Sequence, residues 1–431
     1  MGRATLALLW VLGAGAAGAA PAAAQQPVPA APRVIDGPSP NIVRPAGIGM
    51  SVARDGTGGL VYLKQVAGVQ HVFVSVLQGG SFETPVQVDA GLGSSSQPVI
   101  AAGNGGVLLV GFVSGNELYV ADLSRPGAGF GAPIALAAGA SNPAISITNL
   151  GKAYLAFTTA TGGGSQVRAA FYYKGAWALA TGSLSISATD GAGTGAGRPA
   201  VAAAGDGVAI VAWGEAGHIF ARRVWGVTPS VATEQADAAL PGCMEVSADE
   251  PTVGTEGYSS FADVAFHEVL SCGSDQQLSR VLMNRLQGSV FLGLTQPDGL
   301  AGTTSDGADD PQITMGEYGH GWVTSSRNNA NDLIATALGD DGVSWGTTKV
   351  NSAAELAAPD GVPATAGLFS NLIAWQQTPG STGVPEIRVR YAPSGGTLGP
   401  EIVASSSALG PTDASSGLAA AGDVAGDSAL A

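Results

Sequence analysis

Short apolar runs alternate with glycine-rich turns along almost the whole chain. The clearest unit starts at Pro199, where a run of small residues reaches Ala204, a Gly-Asp-Gly turn follows, and residues 208–213 are all apolar. After a second turn, His218 to Trp225 alternates between polar and apolar side chains. Runs of this kind bounded by glycine are typical of β-strands. We therefore predict an all-β protein, because no segment beyond the N-terminal 24 residues has a helical period.

A proline recurs about every 50 residues, and each time it opens a short strand-like run that starts a new unit. The six prolines are Pro98, Pro143, Pro199, Pro251, Pro311 and Pro363. A repeat of this length that contains only strands and turns is the signature of a β-propeller blade. Several small β-sandwiches are the alternative, but a single repeat period favours one propeller. We predict that residues 48–413 form seven four-stranded blades and that residues 414–431 begin an eighth.

The C-terminal unit has only part of the blade pattern. Residues 414–431 match the first strand of a unit and most of the second strand. Either residues 25–46 supply the missing strands, or the chain is a piece of a longer protein. We expect a longer protein, because the one short N-terminal run, Arg33-Val34-Ile35, cannot provide two strands.

A polar residue precedes five of the six prolines, and its type differs from unit to unit. These residues are Gln97, Asn142, Arg198, Glu250 and Asp310. Because all innermost strands begin at the same end of a propeller, we expect the five side chains to converge around one channel mouth. An ordinary turn role is the alternative. The functional interpretation is a ligand-binding rim in which Arg198 anchors a carboxylate or sugar hydroxyls.

The turn between the third and fourth strands carries a glycine shortly before a bulky side chain. In the sixth unit, residues 340–345 read Asp-Asp-Gly-Val-Ser-Trp. This segment resembles the Asp-box of sialidase-like propellers, although Leu338 stands where that family usually has Ser or Thr. The resemblance implies a propeller fold and a structural turn remote from any active site. The turn residues would be Asp340, Gly342, Ser344 and Trp345.

Sialidase-type catalysis would need several arginines that hold a carboxylate, a Tyr–Glu nucleophile pair and an acid/base Asp. Arg44-Pro45 is a weak counterpart of the first arginine motif of that family. The other candidates lie on predicted third strands, which face outward from the axis; they are Arg168, Arg222, Arg280 and Arg388. No nucleophile elbow, phosphate loop or dinucleotide fingerprint is present. We therefore predict no catalytic residues.

The N-terminus has the features of a secretory signal peptide in residues 1–24. Arg3 supplies the positive charge, an apolar stretch follows, and Ala22-Ala23-Ala24 offers a cleavage site before Gln25. An uncleaved anchor helix is the alternative, but the apolar core is shorter than the ~20 residues that span a bilayer. We predict an N-terminal segment or linker in residues 25–47 and no membrane insertion after cleavage. The mature protein, of bacterial type, would be secreted or on the cell surface, or periplasmic in an envelope with an outer membrane.

The charge balance excludes one class of partner. The formal net charge is −15, and the 18 lysines and arginines are scattered along the chain. Nucleic-acid binding needs a basic stripe that neutralises phosphates, and the sequence has none. We therefore expect a glycan or protein partner and no nucleic acid.

The two cysteines, Cys243 and Cys272, are predicted to form a disulfide in an exported chain. The blade pattern places Cys243 in the connection that leads into the fifth unit and Cys272 just after its second strand. Both connections lie on the same face of a propeller.

Three carboxylates, Asp306, Asp309 and Asp310, cluster before Pro311 and could hold Ca²⁺. The spacing matches no defined calcium loop, so a solvated acidic turn is the alternative. The four histidines, His71, His218, His267 and His320, fall in different units and are interpreted as ordinary strand or turn residues. We predict no other cofactor and no metal-ligating Cys/His cluster.

The sequence thus predicts an exported, non-catalytic β-propeller that binds a glycan or protein through one face. A sialidase-like glycoside hydrolase or lyase is one alternative. A structural repeat module of a larger surface protein is the other.

Overall fold

The computed structural model describes most of the chain from residue 30 onward. The described residues are 30–37, 39–43, 48–187, 189–257, 261–273, 276–300, 306–316, 318–327, 332–339, 344–351, 361–365, 370–380, 382–392, 396–410, 412 and 417–431. Among them, no helix is long and apolar enough to cross a membrane. Two single-turn 3₁₀ helices, Gly195–Gly197 and Ser407–Leu409, interrupt an otherwise all-β chain.

The protein is a β-propeller of seven four-stranded blades, as the repeat predicts. Each blade is an antiparallel meander in which strand order follows the sequence. Blade 1 contains β1 (Gly49–Val52), β2 (Gly58–Val66), β3 (Val69–Gln78) and an outer strand in two pieces, β4 (Ser81–Phe82) and β5 (Val86–Gln87). Blade 2 contains β6 (Ser95–Gly103), β7 (Val107–Ser114), β8 (Glu117–Leu123) and β9 (Ile134–Ala138). Blade 3 contains β10 (Ala140–Ile147), β11 (Ala153–Ala160), β12 (Ser165–Tyr173) and β13 (Ala176–Leu179).

The remaining blades follow the same order. Blade 4 contains β14 (Ala200–Ala203), β15 (Val208–Glu215), β16 (His218–Trp225) and an outer strand in two pieces, β17 (Thr228–Pro229) and β18 (Glu234–Gln235). Blade 5 contains β19 (Cys243–Thr255), β20 (Phe261–Cys272), β21 (Gln276–Gln287) and β22 (Val290–Thr295). Blade 6 contains β23 (Ala308–Met315), β24 (Gly321–Arg327), β25 (Asp332–Leu338) and β26 (Ser344–Lys349). Blade 7 contains β27 (Val362–Thr365), β28 (Asn371–Gln377), β29 (Glu386–Ala392) and β30 (Ile402–Val403).

The core lies between consecutive blades, and the second strands supply its largest side chains. One apolar cluster joins blades 4 and 5 through residues such as Ile210 and Phe266, and similar clusters fill the other gaps between blades. The fully buried second-strand aromatics of the described chain are Phe112, Tyr154, Phe157, Trp213, Phe266, Trp322 and Trp375. Burying an aromatic side chain of this size is a large favourable term, so these positions hold the ring of blades together.

The periodic prolines lie inside strands rather than at their starts, which corrects the prediction for blades 2, 3, 5 and 6. There the innermost strand begins three to eight residues earlier and passes through a β-bulge at the proline. The bulged pairs are Gln97-Pro98, Asn142-Pro143, Glu250-Pro251 and Asp310-Pro311. A bulge leaves residues out of the ladder, so the missing N–H of proline costs no strand hydrogen bond there.

A two-stranded sheet, β31 (Ala420–Gly422) and β32 (Ser428–Leu430), follows blade 7. Leu418, Ala420 and Leu430 pack on the apolar face of blade 7. On the other side, the backbone N–H of Val424 donates to the carbonyl of Arg54 at 3.4 Å, next to β1 of blade 1. The sheet therefore occupies the gap between the last and the first blade.

Most blades share a side-chain latch between the third strand and the segment that follows the fourth strand. A backbone N–H near the start of the third strand donates to a side-chain oxygen 17 or 18 residues later. The accepting side chains are Asp89, Ser185, Asp237, Asp298, Asn351 and Ser405. Several acidic residues of the chain are thus explained by the fold.

The predicted disulfide between Cys243 and Cys272 is present. The two cysteines are directly opposed residues of β19 and β20, with a Cα–Cα distance of 4.2 Å. They lie in the strands and not in the connections, because β19 and β20 of blade 5 extend further than the repeat predicts.

Candidate functional site

The end of the channel at which the innermost strands begin is called the mouth face here. It carries the five pre-proline residues, which we call the rim: Gln97, Asn142, Arg198, Glu250 and Asp310. Because the blades are antiparallel meanders, second strands end and third strands begin on this same face. The acidic and imidazole groups of blades 4–6 that are described below also lie there.

Four rim residues have a backbone conformation that non-glycine residues rarely adopt. Their φ angles are 52° at Gln97, 51° at Asn142, 53° at Glu250 and 51° at Asp310. This left-handed conformation costs roughly 1–2 kcal/mol for a residue with a Cβ. The same bulge imposes it in four blades, and bulges of this kind re-aim a side chain.

Neighbouring rim residues are joined by hydrogen bonds. The backbone N–H of Asn142 donates to Gln97 Oε1 at 2.7 Å, and the Asn142 side chain donates to the carbonyl of Gly193 at 3.0 Å. The backbone N–H of Asp310 donates to Glu250 Oε2 at 3.1 Å. The rim therefore consists of two linked pairs, one in blades 2 and 3 and one in blades 5 and 6.

Arg198 lies in blade 4, between the two pairs. It follows a single 3₁₀ turn with φ −49°, and its backbone N–H donates to the carbonyl of Gly195. Its side chain is exposed and makes no hydrogen bond or ion pair with the part of the chain that the structure describes. Arg198 does not form an ion pair with Glu250 in the described structure. The pKa of Glu250 is raised by burial and by the neighbouring Asp310 carboxylate.

A second polar group lies beside the rim in blade 5. His267 Nδ1 is 2.6 Å from Asp249 Oδ1, and His267 Nε2 is 2.7 Å from Ser279 Oγ, which donates to the carbonyl of Ala308. Burial opposes protonation of His267, but the hydrogen bond to Asp249 and the nearby carboxylates outweigh it and raise its pKa. Ser279 Oγ donates its hydrogen to the carbonyl of Ala308, so it accepts a hydrogen bond from His267 Nε2. When His267 is protonated, Nδ1 also donates to Asp249. His267 is therefore more than an isolated strand residue, a feature that its position in the sequence did not reveal.

The channel itself widens at the opposite end, where the innermost strands finish. A cavity of about 440 Å³ lies there, lined by small residues and backbone of the first strands. Polar side chains at its border include Asn104, Asn149 and Asp423. None of the five rim residues lines this cavity. The innermost strands contain many small residues, but the sequence pattern did not indicate this cavity.

The third-strand arginines take structural roles away from the channel. Arg222 donates to the carbonyls of Ser230 and Ser183, and Arg388 pairs with Glu401. Arg280 is fully buried and donates to the carbonyls of Ser279 and Asp306. Arg222, Arg280 and Arg388 belong to three different blades, blades 4, 5 and 7.

Two sets of predicted residues lie partly outside the described ranges or stay untested. Asp340 and Gly342 of the Asp-box segment are outside the described residues, while the backbone of Ser344 and Trp345 lies in the outer strand β26. Asp306 accepts a hydrogen bond through its carbonyl. Calcium binding near Asp306, Asp309 and Asp310 stays a prediction.

No family model matches the sequence, and no curated protein matches it at a significant level. Among similar solved structures is a Dyadobacter fermentans protein of unknown function, with 10% identity, a TM-score of 0.41, and coverage of 81% of this chain and 96% of that chain. An α-L-arabinanase from Penicillium chrysogenum has 8% identity, a TM-score of 0.42, and the same coverage of 81% and 96%. A Hadza microbial sialidase has 11% identity and a TM-score of 0.36; the match covers 65% of this chain and 62% of that chain, less than two thirds of its length. At these identities the likeness concerns architecture and assigns no activity.

Proposed function

We propose that this protein is an exported, non-catalytic propeller that binds a polar ligand, a glycan or a partner protein, through the rim on its mouth face. The observation that carries the proposal is the repeated left-handed bulge. Four blades hold a non-glycine residue in the same costly conformation at the same mouth, and each blade presents a different side chain there. Strain of this kind is concentrated at functional sites, where the surrounding structure maintains it.

The chemistry of the rim suits a ligand with both donors and acceptors. An amide pair, an exposed guanidinium and a carboxylate pair follow one another in blades 2 to 6. A sugar or a polar peptide offers hydroxyls, amides and carboxylates that can satisfy all three. Arg198 is the expected anchor, because its side chain is exposed and makes no bond to the described residues.

Export is inferred from two features. A disulfide joins two strands of blade 5, and such bonds persist in oxidising compartments. The N-terminal segment has the pattern of a signal peptide. The hydrolase alternative is not favoured, because Arg222 and Arg280 bind backbone carbonyls and Arg388 pairs with Glu401.

A glycan array probed with the purified mature chain, followed by affinity measurement for the best ligand, tests the proposal. Arg198→Ala should weaken binding by roughly 1–3 kcal/mol, the usual range for losing a hydrogen bond to a charged group. The matched control is Arg125→Ala, which removes an exposed cation from the opposite face. Equal affinity of parent and Arg198→Ala would contradict the anchor role. An equal loss in both variants would place the binding surface elsewhere.

A further inference from the structure

His218, Asp237 and Glu245 meet in the gap between blades 4 and 5, and Glu268 lies beside them on β20; we call these four residues the interblade cluster. His218 Nδ1 lies 2.8 Å from Asp237 Oδ2 and 2.6 Å from Glu245 Oε1. His218, Asp237 and Glu245 each offer a ligand atom, and these three atoms lie within 4.8 Å of one another. The cluster is on the mouth face, because His218 starts a third strand and Glu245 lies near the start of a first strand.

The His218–Asp237 pair alone has a structural explanation. Asp237 Oδ1 accepts the latch hydrogen bond from the backbone N–H of Ile219. Blade 1 repeats the same arrangement, in which His71 Nδ1 is 3.1 Å from Asp89 Oδ2 and Asp89 also accepts the latch bond. What distinguishes blades 4 and 5 is the addition of two glutamates, Glu245 and Glu268.

Glu268 is the residue that the fold does not explain. It is completely buried, and neither carboxylate oxygen has a hydrogen-bond partner. It lies on the face of β20 that also carries Phe266, which packs toward blade 4. Arg280 lies opposite Glu268 in the ladder but directs its guanidinium to backbone carbonyls.

The strand register places Glu268 beside Glu245. Glu245 of β19 pairs with Leu270 of β20, so its side chain lies on the same face of blade 5 as Glu268, two residues away along β20. A buried carboxylate without a partner is costly, and such groups are normally paired or bind a metal ion. Asp237 and Glu245 already share the imidazole of His218, and a third carboxylate beside them favours a cation.

We propose that the interblade cluster binds one divalent transition-metal ion, with Glu268, Glu245, Asp237 and His218 as its ligands. A donor set of imidazole and carboxylate suits Zn²⁺ or Mn²⁺ better than Ca²⁺, which prefers oxygen ligands throughout. The ion would satisfy the buried oxygens of Glu268 and neutralise the like charges. It would also tie blade 4 to blade 5 beside the rim, because His218 and Asp237 belong to blade 4 and the glutamates to blade 5.

Titration of the metal-free chain with ZnCl₂, MnCl₂ and CaCl₂, followed by calorimetry and thermal melting, tests the proposal. We expect one Zn²⁺ or Mn²⁺ per chain and a saturable rise in melting temperature. Glu268→Gln keeps the size of the side chain and removes its charge, so the variant should fold. We expect its affinity for the ion to fall by at least the roughly 10- to 100-fold that losing an outer-shell partner costs.

The matched control is Asp89→Asn, which alters the equivalent latch in blade 1 where the added glutamates are absent. It should bind the ion as the parent does. Without metal, Glu268→Gln should melt no lower than the parent, because it removes a buried carboxyl group that has no hydrogen-bond partner. The proposal is overturned if none of the three ions gives a heat or a shift in melting, or if Glu268→Gln binds as tightly as the parent.

Discussion

At the scale of single residues, buried charge is the feature that most needs an explanation. Asp263 in β20 is completely buried, and neither of its oxygens accepts a hydrogen bond. It lies near the ion pair of Arg285 and Glu256, at the end of blade 5 away from the rim. Burial raises the pKa of Asp263 to about 7; Arg285 opposes this shift and Glu256 adds to it.

The raised pKa of Asp263 predicts a specific pH dependence of stability. The folded state keeps a proton that the unfolded state loses above its pKa of 3.8, so the free energy of unfolding should fall from about pH 4 to about pH 7. Asp263→Asn should remove this contribution and be more stable than the parent near pH 8, by on the order of 2–4 kcal/mol. Urea unfolding of both proteins across this range measures the difference. Parallel curves for parent and variant would show that Asp263 does not titrate in this way.

Glu250 tests the cost of the left-handed bulge. Glu250→Ala and Glu250→Gly both remove the acceptor of the Asp310 N–H, but only glycine relieves the strain at φ 53°. We expect Glu250→Gly to be more stable than Glu250→Ala by about 1 kcal/mol. Chemical denaturation of the two variants provides the comparison. If alanine were the more stable substitution, the bulge would not be strained.

At the scale of elements, blade 5 departs from its neighbours. Its first three strands are the longest of the described chain, and the disulfide joins the first two at the mouth face. The interblade cluster and the His267 group occupy the two sides of this blade. The extra length of β19 brings Glu245 to the gap with blade 4. Glu268 follows Phe266 by two residues, as Glu215 follows Trp213 in blade 4.

Removal of the disulfide should weaken blade 5 measurably. The bond closes a loop with a sequence separation of 29 residues, which corresponds to about 3.5 kcal/mol in the chain-entropy model. We expect Cys243→Ser/Cys272→Ser to lose a stabilisation of this order in denaturant unfolding. The parent in reductant should approach the same midpoint. A double variant as stable as the oxidised parent would mean that strand pairing alone fixes this end of the blade.

At the scale of the whole molecule, the ring is closed by a small sheet. β31 and β32 cover the apolar side of blade 7, where Ala364, Leu372 and Ala374 are buried. Among the described residues, every other interblade gap is filled by a larger cluster of buried apolar side chains. The junction at the two-stranded sheet is therefore the part of the ring with the least apolar material.

A charge placed in this junction should destabilise the whole propeller. Leu430→Asp puts a carboxylate against the apolar face of blade 7 and should cost roughly 1–3 kcal/mol. Ser428→Asp is the matched control, because Ser428 is an exposed residue of the same strand. Thermal melts of both variants report the difference. Equal melting temperatures would show that the sheet does not contribute to closure.

The sequence by itself determined the architecture. The repeat of about 50 residues and the fully apolar runs, such as residues 208–213, predicted the blades and their buried layer. These signals are local, because period and hydrophobicity decide which strands are buried and how many residues make a blade. The cysteine pair was also predictable, since an exported chain with two cysteines has one possible intramolecular bond.

Only the tertiary structure decided how separate blades combine. The prolines marked each innermost strand, but the left-handed bulge at Glu250 is a property of strand register, which the sequence pattern does not contain. The interblade cluster brings His218 of blade 4 to Glu245 of blade 5 across a gap between two sheets. Sequence spacing carried no signal for that contact, because it depends on the length of blade 5 and on the face to which each strand turns its side chains. The sequence therefore defined the blades, and the chemistry between them followed from packing.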